Sequence, residues 1–211
     1  MKKSSLFIFC FILTFCFAFQ GVEKTTEPLA LGAETPKTDL KMKDVSGIEI
    51  SLDDIKKENG LLVIFSCNTC PFVLAWEDRY PGLAEICEKN NVGMVLVNSN
   101  EAKRNDDDSM AEMKKHASEK NYKCYYAVDE NSVLADSFRA KATPHVFLFG
   151  KDLKLVYRGA IDDSWENEHM VTRVYLEDAI ECTLDGIEVD YPEIPAVGCT
   201  VKWKSGNEPS M

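Results

Sequence analysis

The sequence predicts an α/β fold, in which a central mixed β-sheet is covered by helices on both faces. Short apolar runs alternate along the chain with segments of helical periodicity, which is the pattern of strands joined by helices. The run Leu61–Phe65 is wholly apolar, as expected of a strand buried on both faces. With 211 residues, the chain is long enough for one domain with a sizeable core.

The first predicted elements are a hairpin, this buried strand and a helix. Alternation over Leu40–Ser51, broken by Ser46-Gly47, predicts an N-terminal β-hairpin. Pro71 suits the first turn of a helix, where its missing N–H would be unpaired anyway, and Pro81 predicts a kink or a split in that helix. The helix has one apolar stripe, at spacings of three and four residues, formed by Phe72, Trp76, Tyr80, Leu83 and Cys87.

The rest of the domain is predicted to continue the alternation and to end in a hairpin and a closing helix. Gly186 is expected to end that last helix, and the Pro-rich tail from Tyr191 to Trp203 is expected to be irregular. The further strands are predicted at 92–97, 125–128, 145–149 and 153–158, and the further helices at 109–120, 132–139 and 170–184.

The N-terminus has the features of a targeting signal. Lys2 and Lys3 precede an almost wholly apolar run over 6–19, which is short for a transmembrane span, and cleavage is expected after Ala18. The alternatives are an uncleaved membrane anchor and a lipoprotein-type leader with lipid attached at Cys16. The sequence therefore predicts an exported protein, periplasmic or otherwise extracytoplasmic, whose only membrane tether would be its N-terminus.

These features divide the chain into four parts and set its charge. Loss of Lys2 and Lys3 with the leader would change the formal charge from −11 to −13. Such an acidic chain argues against nucleic acid as a partner. The parts are a leader at 1–18, a flexible tether at 19–37, the domain at 38–186 and a C-terminal tail at 187–211 packed on or near the domain.

Cys67 and Cys70 form the motif that predicts chemistry. The pair follows a buried strand and opens an amphipathic helix, a much more specific context than the spacing alone. We expect Cys67 at the helix N-terminus, where a thiolate, the attacking species in disulfide exchange, forms more easily. Cys70, one turn inside and more buried, would then resolve the mixed disulfide.

Two other interpretations of this pair are a structural zinc site and a purely structural disulfide. A structural zinc site usually needs a second ligand pair, and the remaining cysteines and the three histidines are scattered. A purely structural Cys67–Cys70 disulfide would close a very short loop, which removes little unfolded-state entropy. The sequence predicts no metal and no cofactor.

Thr143-Pro144 is the second candidate feature. It lies just before the predicted strand His145–Phe149, a position where proline, which lacks a donor, is tolerated. The Thr143–Pro144 bond could be an ordinary trans bond in a loop or a cis bond in a specialised turn.

With these features placed, the chain resembles the thioredoxin superfamily, and within it the exported peroxiredoxin-like branch related to AhpC/TSA and TlpA-type proteins. The resemblance covers about residues 38 to 186 and implies a thioredoxin-like fold. Its residues are Leu61–Pro71, Asn68–Val73, Glu77–Arg79, Asn98–Asn100, Asp129-Glu130, Thr143-Pro144, Val156–Gly159 with Ile161–Asp163, and Gly198–Trp203 in the tail.

The resemblance implies roles for six residues. A cis Pro144 would face the cysteines, and the backbone of Thr143 would bind a substrate strand, with Asn68 and Thr69 also contacting the substrate. Cys67 would be the nucleophile and Cys70 the resolving thiol.

Two departures from the family pattern bear on the reaction. Thioredoxins carry a buried acid on the strand before the cysteines, and Leu61–Phe65 has none, so a proton acceptor must come from elsewhere or from water. Peroxidases of the family need a Thr three residues before the reactive cysteine, and alignment on Cys70 puts Cys67 there.

The sequence therefore predicts a thiol–disulfide oxidoreductase that acts on thiols or disulfides of exported proteins and is recharged by a thiol carrier. The alternatives are a thiol peroxidase and a non-catalytic binding module that kept the fold.

The other cysteines outside the leader fall into two groups. Cys87 and Cys182 lie on predicted apolar helix stripes and are expected to be inert buried thiols. Cys124 and Cys199 are candidates for an extra redox or structural thiol. Cys199 could form a disulfide with Cys182 or Cys124, or act as a third redox thiol toward the pair, and the sequence does not choose between these.

Overall fold

The computed structural model describes residues 27–206, and the predicted α/β fold is confirmed. The predicted leader and the first part of the tether lie outside the described residues. The strands are β1 (Met42–Asp44), β2 (Glu49–Ile50), β3 (Leu61–Ser66), β4 (Gly93–Asn98), β5 (Tyr125–Val128), β6 (Ala142–Thr143), β7 (His145–Phe149), β8 (Leu155–Gly159) and β9 (Cys199–Thr200). The α-helices are α1 (Leu52–Ile55), α2 (Pro71–Trp76), α3 (Tyr80–Lys89), α4 (Met110–Glu119), α5 (Val133–Phe138) and α6 (Tyr175–Asp185).

Seven strands form the main sheet in the order β2-β1-β5-β4-β3-β7-β8. The neighbours β3, β4 and β5 are parallel, and the other pairings are antiparallel, so the sheet is mixed as predicted. The predicted N-terminal hairpin is β1–β2, with Met42 opposite Ile50. Because β3, β4 and β5 run the same way, the segments that follow them meet at one edge of the sheet.

The two faces of β3 pack into separate cores. Leu62 and Ile64 belong to one, together with side chains of α2, α3, α4 and α6. Leu61, Val63 and Phe65 belong to the other, with side chains of α1 and α5. All six residues of β3 are buried, which explains its unbroken apolar run.

The helix after the cysteines is split, as Pro81 predicts. A 3-10 turn at Glu77–Arg79 separates α2 from α3, and Pro81 lies in the first turn of α3. Gly186 ends α6 with a left-handed φ of 69°, also as predicted. None of the helices in residues 27–206 combines the length and apolar character needed to cross a membrane.

The prediction of a flexible tether is wrong for its described C-terminal part. The N–H of Leu29 donates to the carbonyl of Phe138, that of Gly32 to Leu155, and that of Thr35 to Leu153. Arg158 also donates to the carbonyl of Leu29 at 2.7 Å. These bonds join residues more than a hundred positions apart, which local composition cannot reveal.

The C-terminal tail packs on the domain, and it is less irregular than predicted. The backbones of Arg158 and Ile194 bond to each other, and the guanidinium of Arg158 pairs with Glu193 at 2.6 Å. Further along, β9 pairs antiparallel with β6, with Cys199 opposite Thr143.

Candidate redox site

Cys67 and Cys70 lie where β3 ends and α2 begins, at the edge where the parallel strands finish. Cys70 is the residue that precedes the first helical position, Pro71, and its backbone is extended, with φ −69° and ψ 124°. The expectation that Cys67 occupies the helix N-terminus is therefore wrong. The helix begins four residues after Cys67, because Pro71 favours the first helical position.

Both thiols are reduced and almost completely buried, with 2% of Cys67 and 4% of Cys70 exposed. The expectation that Cys70 is the more buried of the two is thus not met. The sulfurs of Cys67 and Cys70 are hydrogen-bonded to each other. Cys67 Sγ also lies 3.4 Å from Thr143 Oγ1, and Cys70 Sγ lies 3.1 Å from the carbonyl oxygen of Thr143.

The surroundings shift the pKa values of the two thiols in opposite directions. The hydrogen bond from the Cys67 thiol lowers the pKa of Cys70, and donors from Cys199 and the Val73 backbone act in the same direction, although burial opposes them. The same hydrogen bond raises the pKa of Cys67, as do burial and the charge of Asp108. The Thr143 carbonyl favours the protonated form of Cys70, but the donors around its sulfur outnumber this one acceptor. The surroundings therefore lower the pKa of Cys70 and raise that of Cys67.

Asn68 and Thr69, between the two cysteines, differ in their surroundings. The Asn68 side chain is buried, and it donates to the carbonyl of Asp107 at 2.7 Å and accepts from the Tyr126 hydroxyl at 2.9 Å. Asn68 thus fixes the loop between the cysteines. Thr69 is exposed and remains available for contact.

Asp108 is the functional residue that sequence reasoning missed. It is fully buried, and its carboxylate accepts from the Asn68 backbone at 2.9 Å, from Asn98 at 2.7 Å and from Asn100 at 2.9 Å. It thereby holds the cysteine loop and brings a negative charge close to Cys67. The run of three aspartates before Ser109 is also typical of a helix start, and the asparagines at the end of β4 and just after it are the one signal in the sequence for a buried carboxylate.

Thr143 contacts both cysteines, and its bond to Pro144 is cis. Both residues are buried. The backbone of Thr143, expected to bind a substrate strand, is instead paired with Cys199 in the tail. The structure thus brings Cys67, Cys70, Thr143 and Cys199 together.

The other cysteines lie away from this site. Cys124 comes just before β5, at the opposite edge of the sheet, so it does not join the pair as an extra redox thiol, and burial raises its pKa to about 12. Cys87 is buried in the core and Cys182 is half-buried on α6. Within residues 27–206, no group of three His, Cys, Asp or Glu side chains is placed to hold a metal ion.

Comparisons with known proteins agree with this geometry. The AhpC/TSA family model matches residues 31–158. The structure is similar to that of an uncharacterized conserved protein from Geobacillus kaustophilus, with 35% identity, a TM-score of 0.78, and coverage of 84% of this chain and 94% of that chain. No curated protein sequence matches the chain at a significant level.

Two further solved structures extend the likeness. A hypothetical protein from Sinorhizobium meliloti 1021 has 28% identity and a TM-score of 0.78, over 85% of this chain and 98% of that one. The peroxidoxin BcpB from Mycobacterium tuberculosis has 15% identity and a TM-score of 0.56, over 75% of this chain and 97% of that one, and shows the shared fold alone.

Proposed function

The chain belongs to the AhpC/TSA family, a group of redoxins in the thioredoxin superfamily, and we propose that it acts as a thiol–disulfide oxidoreductase through Cys67 and Cys70. The observation that supports this proposal best is the contact between the two sulfurs, at a strand-to-helix junction and against the Thr143 carbonyl. Two thiols in such contact can form a disulfide without a large movement of the backbone.

The contacts favour an order of events opposite to the one the sequence suggests. Cys70, with donors around its sulfur, is the resting thiolate and attacks a substrate disulfide, which breaks that S–S bond and forms a mixed disulfide. Cys67 then gives its proton to the departing substrate thiolate and attacks the Cys70 sulfur, which releases the second substrate sulfur as a thiolate that takes its proton from water. The substrate gains two electrons and the protein keeps a Cys67–Cys70 disulfide.

Asp108 would delay the second step of the reaction, the attack by Cys67. Its negative charge opposes ionisation of Cys67, so Cys67 stays protonated until the mixed disulfide has formed. The carboxylate also holds the Asn68 amide and so keeps the cysteine loop in place.

For substrates and place of action, we propose thiols or disulfides of exported proteins, with a separate thiol carrier as electron donor. The apolar leader and the acidic charge of the chain support this assignment. The exposed Thr69, next to the pair, is the remaining candidate for substrate contact between the two cysteines.

The function can be tested with the reduced full-length protein and oxidised glutathione as the disulfide. We expect thiol release to be lost in Cys70→Ser and in the Cys67→Ser/Cys199→Ser double variant but kept in Cys182→Ser, whose half-buried thiol lies on α6. Trapping distinguishes the roles, because the double variant, which keeps neither thiol that packs beside Cys70, should accumulate a mixed disulfide at Cys70. Full activity in Cys70→Ser and in the double variant would contradict the proposal.

A thiol peroxidase is the second candidate, favoured by the lowered pKa of Cys70 and its position just before α2. Against it, Cys67 occupies the place of the threonine that such peroxidases use. Fast, saturable consumption of hydrogen peroxide that depends on Cys70 would favour this second function over disulfide exchange.

A further inference from the structure

The C-terminal tail lies along the edge that the site offers to an extended chain. β9 pairs antiparallel with β6, so that Cys199 is opposite Thr143, directly before the cis bond to Pro144. A Cβ atom at Gly198 would come within 2.2 Å of the Thr143 carbonyl oxygen. Only glycine allows the tail to approach the Thr143–Pro144 backbone this closely.

The tail is also anchored just after this pairing. The Lys202 N–H donates to Asn100 Oδ1 at 2.8 Å, and the Ala102 N–H donates to the Lys202 carbonyl at 2.9 Å. Val201, between these contacts and β9, is 3% exposed. Because Asn100 also binds Asp108, the anchor of the tail and the support of the cysteine loop share a residue.

The third sulfur of the site comes from this tail. Cys199 packs against Cys67 and Cys70, and its thiol and backbone N–H lower the pKa of the Cys70 thiol. Cys67 and Cys70 are at most 4% exposed, whereas Cys199 is only partly buried. An external thiol can therefore reach Cys199 while the tail covers the pair.

We propose that Cys199 is a third redox thiol, which exchanges with the buried pair and carries its oxidising equivalents to the protein surface. This inference rests on the proposed function of Cys67 and Cys70. The tail acts as a built-in substrate strand, presenting its own cysteine to Cys70.

The step is an internal thiol–disulfide exchange. In the oxidised protein the Cys199 sulfur attacks the Cys70 sulfur, the Cys67–Cys70 bond breaks, and a Cys70–Cys199 bond forms. The proton of the Cys199 thiol ends on Cys67. No electrons are gained or lost overall, so the step needs no further oxidant.

The experiment is disulfide mapping of the full-length protein. Wild type and Cys67→Ser are oxidised with oxidised glutathione, quenched in acid, alkylated and digested, and the linked peptides are quantified by mass spectrometry. We expect a Cys70–Cys199 linkage beside Cys67–Cys70 in the wild type, and Cys70–Cys199 as the main linkage in Cys67→Ser.

A pair of glycine variants tests the role of the tail. Gly198→Ala should lift the tail from Thr143 and lower the yield of Cys70–Cys199 at least tenfold, while Cys67–Cys70 still forms. Gly82→Ala, in α3, is the matched control, because a methyl group there meets no atom within 4 Å.

Cys199 that stays fully alkylated in oxidised wild type and in Cys67→Ser, while Cys67–Cys70 forms, would overturn the inference and leave the proposed function standing. Absence of both linkages would contradict the inference and the proposed function together. A linkage that persists unchanged in Gly198→Ala would contradict the role given to the tail.

Discussion

Two regions of the molecule each bury a cysteine and a carboxylate, and only one of them is arranged for chemistry. In the redox site, Cys70 lies beside two other thiols and Asp108 is bound by amide groups alone. In the helical region behind the sheet, Cys87 is packed among apolar side chains, and Glu77 forms an ion pair with Lys120 and lies 2.6 Å from His116 Nε2.

The difference shows what makes a buried thiol reactive in this fold. Burial raises the pKa of Cys87 to about 12, and the charge of Lys57 offsets this only in part. Cys70 is equally buried, yet the hydrogen-bond donors around its sulfur lower the pKa of its thiol. The arrangement of donors and of a second sulfur, rather than burial, separates the two regions.

The largest effect is expected from the cysteine pair itself. Cys70→Ser, and Cys67→Ser combined with Cys199→Ser, should each reduce disulfide turnover to background, since neither variant can form a disulfide at Cys70 within the site. The assay is thiol release from oxidised glutathione, with Cys182→Ser as the control. If Cys87→Ser lowered turnover as much as the variants of the pair do, the two regions would not differ in chemistry.

The next largest effect is expected from Asp108→Asn. The side-chain NH2 of the new asparagine would face N–H groups that are themselves donors and would leave them unpaired. The free energy of unfolding should therefore fall by about 1–3 kcal/mol. Without the negative charge, the pKa of Cys67 should also fall, and its alkylation should begin at lower pH. Denaturant unfolding and alkylation against pH measure the two effects.

Asp106→Asn is the matched control for this change. Asp106 belongs to the same aspartate run, but its side chain is 68% exposed, beside Lys103. Its unfolding free energy should stay within about 0.5 kcal/mol of the wild type. Equal effects of the two variants would mean that Asp108 has no special role.

A smaller effect, with a defined pH dependence, is expected from Glu77→Gln. Burial alone would raise the pKa of Glu77, but hydrogen bonds from His116, Lys120 and Tyr122 bring it below its ordinary value of 4.5. A lowered pKa means that the folded state binds this proton at a lower pH than the unfolded state. The stability that Glu77 contributes is therefore present above pH 4.5 and is lost as pH falls further.

Glu77→Gln should thus cost about 2 kcal/mol of unfolding free energy at pH 7, less at pH 3, and leave disulfide exchange unchanged. Denaturant unfolding at the two pH values measures this. Asp78→Asn, whose side chain is 70% exposed, serves as the control. A loss of exchange activity in Glu77→Gln would show that the helical region takes part in the chemistry.

The smallest effect on the redox chemistry is expected from Cys87→Ser. Its hydroxyl would enter an apolar cluster at a residue that is 1% exposed, which costs about 1–3 kcal/mol if no partner is found and less if one is. Unfolding should become easier and the redox potential of the pair should not move. A shifted potential would contradict the view of Cys87 as an inert thiol.

Local patterns were sufficient to predict most of the fold. The hairpin over residues 42–50 and the buried strand β3 follow from side-chain alternation and from an unbroken apolar run. The cysteine pair and Thr143-Pro144 were found in the same way, because each depends on residues adjacent in sequence.

What could not be predicted depends on long-range contacts. β9 has two residues, without periodicity, and forms because Thr143, 56 positions earlier, offers a free edge. Asp108 stands in an aspartate run that suits a helix start equally well, and only the amides of Asn98 and Asn100 identify it as buried. The helix start was misplaced because spacing alone does not tell whether Cys67 or Cys70 precedes the first turn.

The most direct test of the central claim is the reduction potential of the Cys67/Cys70 pair, measured by equilibrating the full-length protein with thiol–disulfide buffers and counting alkylated thiols. A redox-active pair should titrate between about −120 and −270 mV, the range of known thiol–disulfide catalysts. A disulfide that resists reduction below about −300 mV would instead be structural, and would contradict a catalytic role for Cys67 and Cys70.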